Sequence, residues 1–171
     1  MEENVETVTT RSVGIKYGLY SAFAGIILFL VPAILGQNAF KGIWSWIGIG
    51  VSIVLYVLAH KYFKDEGDGF MSIGQGVGIG FWMSLISVLI SGLFIFVYIS
   101  FIDTAPFDLM LEDNLIKMEE AGSPDEAIEM AQEWTRKLFW PMYFVFGILG
   151  GVLFALIISI FTKKNSPETT F

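Results

Sequence analysis

The sequence predicts an all-α integral membrane protein: a four-helix bundle with an acidic amphipathic helical hairpin between its third and fourth spans. Three observations carry this. Of the 171 residues, 54% are hydrophobic and 16% charged, giving a mean hydropathy of +0.65, which excludes a soluble globular enzyme. The apolar residues collect into four long uncharged runs, 17–40, 42–59, 69–102 and 138–162. One segment, 103–137, holds ten acidic residues against three basic ones, a net −7 equal to that of the whole chain. About 20 apolar residues at 1.5 Å rise cross the ~30 Å hydrocarbon layer, and isolated spanning strands would leave backbone groups unpaired in lipid. Spans are therefore expected near 13–35, 43–61, 74–102 and 138–162, with tails at 1–12 and 163–171.

The first run opens after an acidic tail, Met1-Glu2-Glu3, and is longer than the apolar core of a secretory leader, so it reads as an anchor. Trp44 and Trp46 mark the start of the second span, Tyr98 and Phe101 the end of the third, and Trp140 and Tyr143 the start of the fourth, as amphipathic rings at headgroup level should. The third run exceeds one perpendicular span. Its glycine-rich start (Gly69, Gly74, Gly76, Gly78, Gly80) suggests an interfacial segment before the helix proper. One end of the bundle would carry Arg11, Lys16, Lys61, Lys64, Lys163 and Lys164, the other Lys41, Lys117, Arg136 and Lys137. Six against four leans toward both termini in the cytoplasm.

In segment 103–137 the apolar residues recur at helical spacing: Phe107, Leu111, Leu115 and Met118, then Ala127, Ala131, Trp134 and Leu138. Gly122 divides two helices. Ser123-Pro124-Asp125-Glu126 reads as a helix start, with serine as N-cap, proline first in the helix and glutamate completing a capping box. Asp113–Lys117 and Glu133–Lys137 have the spacing of supporting ion pairs. The second helix of this hairpin is expected to run into the fourth span.

Small residues form stripes within the membrane: Gly14, Gly18 and Gly25 in the first span; Gly76, Gly80 and Ser84 in the third; Gly147, Gly151 and Ala155 in the fourth. Such stripes let backbones approach where lipid supplies no hydrophobic drive. They either pack the four helices of one chain or leave one stripe outward to pair with a second copy.

No ionisable residue falls at mid-membrane. Lys16 and His60 sit at span ends, where both read as interfacial side chains. Chemical motifs fail on inspection. Gly74–Gly80 places glycine at every second position and lacks a phosphate-binding lysine, and Lys64–Gly69 puts lysine at the first ligand position of a calcium loop. Without cysteine there is no thiolate site. No catalytic set, cofactor, metal site or nucleic-acid surface is expected. The last four residues, Glu168-Thr169-Thr170-Phe171, have the form of a C-terminal peptide ligand, a match short enough to arise by chance.

Lys16-Tyr17-Gly18 at the first span, the turn Lys61-Tyr62-Phe63-Lys64-Asp65 followed by Gly69–Gly76, and an acidic hairpin before the last span together resemble the bacterial DUF4199 family. The resemblance implies a multi-pass protein of the bacterial cytoplasmic membrane and brings no activity or site residues. The expected function is a non-enzymatic interaction or assembly module, with Phe107 and Trp134 on the hairpin as partner contacts. Its surroundings would be the bilayer and either a second copy or another membrane protein. The alternative is a small transporter or permease subunit acting as an oligomer.

Overall fold

A computed structural model describes residues 8–166; the C-terminal motif at 168–171 and the acidic start of the N-terminal tail lie outside them. Five helices follow in order: α1 (Thr10–Ile34), α2 (Ile43–Asp65), α3 (Ile73–Phe101), α4 (Ala105–Glu120) and α5 (Asp125–Thr162). α1, α2, α3 and α5 are long and apolar enough to cross a membrane, and the chain is an all-α multi-pass membrane protein. α4 and the first turns of α5 form the hairpin, and α5 continues from it into the fourth span as one helix of 38 residues.

The spans run alternately up and down, but neighbours in sequence are not the closest neighbours in space. α3 is the axis, packed along its length against α1 on one side and α5 on the other. α2 leans on α1 and α5 and touches α3 lightly. Buried apolar residues gather at both ends. Val13, Tyr56, Ala59, Phe63, Met71, Ile79, Met83, Ala155 and Ile158 form one cluster at the end where the chain begins, and Phe29, Ile95 and Ile99 centre another below the hairpin.

Side-chain caps fix two helix starts. Thr9 and Ser12 form a capping box that begins α1 three residues before the expected 13, and Ser72 with Gln75 does the same at α3. This second cap corrects the reading of 69–80 as an interfacial segment: the glycines after Ser72 are already helical, and Gly76 and Gly80 face a neighbouring helix. α2 runs four residues past the expected 61, because Lys64 Nζ donates to the Thr162 carbonyl (2.8 Å) and holds this last turn against α5. Met71 and Lys164 exchange backbone hydrogen bonds of 2.8 and 3.0 Å, fastening the chain after α5 to the α2–α3 turn.

Three expectations at the hairpin are corrected. Gly122 does divide the helices, at φ +71°, but Pro124 rather than Ser123 is the N-cap of α5 and no side chain caps it. Asp113 leaves Lys117 for the α1–α2 loop, where Asn38 Nδ2 (2.7 Å) and Lys41 Nζ (3.1 Å) both donate to its Oδ2; the Glu133–Lys137 pair does form, at 2.5 Å. The buried side of α5 is also rotated by one residue, about 100°. Ile128 is buried and Ala131, Thr135 and Phe139 are partly covered, whereas Trp134 and Leu138 are exposed.

Candidate functional site

The small-residue stripes meet inside the chain. On α1, a Cβ at Gly14 would collide with Trp82 Cβ, one at Gly18 would lie 2.9 Å from Ile86 Cβ, and one at Gly25 would touch Ser91 Cβ at 3.5 Å. All three face α3. On the opposite seam, Gly76 meets Ser159, Gly80 meets Ala155, Gly151 meets Ser84, and Gly147 meets Val88, with 3.0 Å to its Cγ2. Ser84 donates its hydroxyl to the Gly80 carbonyl at 2.8 Å, so its polar group is satisfied within α3 at the contact with Gly151. These are close backbone approaches of the kind that membrane bundles require, and the structure spends each named stripe residue on the α1–α3 or α3–α5 seam.

The two hairpin residues part company. Phe107 is half-buried and packs edge-on to Phe139 with ring centroids 4.9 Å apart, beneath the guanidinium of Arg136 at 5.9 Å. It helps mount the hairpin on the cluster around Phe29 and Ile95. Trp134 is 55% exposed, one turn above the fourth span, and Met130, a turn further out, is 54% exposed. The Lys41 and Asn38 hydrogen bonds hold the Asp113 carboxyl below the usual carboxylate range, so the strap from α4 to the α1–α2 loop is ionic at neutral pH. Its two partners are half-exposed, and such a pair contributes at most about 1 kcal/mol. Most of the hairpin's attachment is therefore aromatic packing and chain continuity.

His60 corrects a further expectation. It is fully buried, not interfacial. Its Nε2 lies 3.2 Å from the Gly76 carbonyl and its Nδ1 2.7 Å from Thr162 Oγ1. A carbonyl only accepts, so Nε2 carries the proton and Nδ1 of the uncharged ring accepts from the threonine hydroxyl. One side chain of α2 thereby joins α3 and α5. Sequence position placed His60 at the end of an apolar run, and nothing local signals partners 16 and 102 residues away. Lys16 is half-covered, with Nζ 3.7 Å from the centre of the Tyr62 ring.

Because α2 stands off from α3, the interior is not filled. A chamber of about 420 Å³ lies between α2, α3 and α5, and one of about 290 Å³ adjoins it between α1 and α2. Ser21, Ser52 and Ser87 line both. Sequence reading took Ser21 and Ser87 as small packing residues of their stripes and passed over Ser52, since a serine in an apolar helix ordinarily turns its hydroxyl to its own backbone.

The family model for the protein of unknown function DUF4199 matches residues 16–164. No curated protein and no solved structure matches the chain. The matched stretch runs from Lys16, over the Tyr62 ring, to Lys164 at the closing backbone bridge, taking in most of α1, the other three spans and the hairpin. The chain belongs to the DUF4199 family.

Proposed function

We propose that the protein is a non-enzymatic membrane interaction module that holds the α4–α5 hairpin at the bilayer surface for another membrane protein. The observation that carries this reading is the exposed pair Met130 and Trp134, on an acidic hairpin already mounted through Phe107. Tryptophan on a rigid support is the residue type that most often anchors an interface. The net −7 of residues 103–137 suits a partner with a basic segment and opposes pairing with an identical hairpin. With the small-residue seams occupied inside the chain, the hairpin is the surface that favours an interaction role over an oligomeric transporter.

Native mass spectrometry of the protein extracted in its own lipid tests this. A discrete second protein is expected, its occupancy falling about 30-fold in Trp134→Ala and falling also with added salt. A chain carrying lipid alone, or a partner indifferent to Trp134, overturns the reading.

The six-to-four excess of Lys and Arg at the end where α1 begins supports cytoplasmic termini and an extracytoplasmic hairpin. With no native cysteine, Ser123→Cys is expected to react with a membrane-impermeant maleimide on intact cells. Labelling only after lysis reverses the orientation.

A further inference from the structure

Serines of the spanning helices that are not exposed behave in two ways. Ser84, Ser91 and Ser159 each donate to the carbonyl four residues back, at 2.6–2.8 Å. Ser21, Ser52 and Ser87 make no side-chain hydrogen bond to any described residue, although each has such a carbonyl in its own helix. They come from α1, α2 and α3, and all three line the two adjoining chambers. In a medium without water, a polar group that forgoes its local partner needs another.

The remaining walls limit what that partner can be. No charged side chain lines either chamber, so an ion would enter without a counter-charge, at a cost of several kcal/mol. Most of the lining is apolar, including Met83, Val88 and Phe154. The larger chamber has the volume of an ordinary small-molecule site. Its mouth faces sideways. Ile49 of α2 and Gly150 of α5 both line it and are both exposed, and a Cβ added at Gly150 would meet nothing within 4 Å. Gly150 lies midway along the fourth span, so this opening looks onto the hydrocarbon layer and not onto either aqueous face.

We propose that the chamber between α2 and the α1–α3–α5 body binds one neutral lipid through its hydroxyl or ester groups, and that the lipid enters from the bilayer between α2 and α5. Ser21, Ser52 and Ser87 hydrogen-bond the head, and the apolar walls hold the start of its chain. The inference does not depend on the hairpin's partner, since no hairpin residue lines either chamber.

The test uses the full chain in lipid nanodiscs with a photoactivatable dioleoylglycerol as probe and a photoactivatable dioleoylphosphatidylglycerol as its anionic counterpart. Saturable crosslinking by the neutral probe is expected on α2 and α5 segments facing the chamber, displaced by unlabelled dioleoylglycerol. Gly150→Leu, which plugs the mouth with no atom in its way, should reduce it at least tenfold. Gly50→Leu, on a glycine outside the chamber with equally open surroundings, should leave it unchanged. The double variant Ser52→Ala, Ser87→Ala removes two oxygens and no packing; it should weaken the probe about tenfold, so the inference remains testable if Gly150→Leu lowers stability. Labelling that is unsaturable, equal for the anionic probe, or unaffected by both the mouth and the serine variants overturns the proposal. Retention of a protein partner through Trp134 would be unaffected by any of these results.

Discussion

Gly80→Leu is expected to prevent the bundle from assembling. A Cβ at this position falls on Ala155 Cβ, and Tyr56 Cε1 lies only 3.1 Å away on another side. The obstacle is a helix on one face and an aromatic ring held by its own hydrogen bond on the other, since Tyr56 Oη donates to the Gly151 carbonyl at 3.0 Å. Neither can yield without parting α3 from α5 over several turns, and the same seam holds Gly76 against Ser159 and Gly151 against Ser84. Overpacking at such a contact costs more than about 3 kcal/mol. Unfolding by sodium dodecyl sulfate in mixed micelles, followed by ellipticity, should show Gly80→Leu unfolded at detergent fractions where the parent is intact. Gly50→Leu, with nothing near it, should stay within about 0.5 kcal/mol of the parent. Equal stability of the two variants would mean that the α3–α5 seam does not hold the fold.

His60→Ala should be the next most damaging change, at about 3 kcal/mol in the same assay. It deletes a fully buried ring and two hydrogen bonds, leaving a void where α2, α3 and α5 meet. Part of the polar cost is softened, because Thr162 Oγ1 has a second acceptor in the Ile158 carbonyl at 2.9 Å. His60→Gln separates packing from hydrogen bonding: its amide can donate to Gly76 and accept from Thr162, so it should recover half or more of the loss. If Gln is no better than Ala, the ring acts by volume alone and the two hydrogen bonds contribute nothing measurable.

What could be read from the chain follows the reach of each signal. Bilayer thickness acts on continuous runs, so the four apolar helices were legible, the first three to within four residues at each end. Capping is also local, yet the Thr9–Ser12 and Ser72–Gln75 boxes were missed because apolar run length, not cap chemistry, set the expected starts. The glycine stripes were legible as packing surfaces, but their partners were not: that α1 faces α3 and α3 faces α5 depends on how four helices arrange in space. Trp134 was assigned to the apolar face of its helix from spacing alone. A one-residue rotation puts it outside, because Ile128 and Phe139 pack better against α4 and the aromatic cluster. His60 and the three unbonded serines were the least legible, since each is defined by side chains from other helices.

The unbroken course of α5 has a mechanical meaning. A helix of 38 residues is about 57 Å long, and it passes from hairpin to bundle with one irregularity, Pro141, whose ring denies the Lys137 carbonyl its usual partner. The helix is thus a lever whose softest point stands near the headgroups. Its outer arm packs against α4, which is braced to the α1–α2 loop through Asp113, and its inner arm carries Gly147, Gly150 and Gly151. Hairpin and glycine-lined wall are thus two stretches of one backbone, with Pro141 as the joint between them.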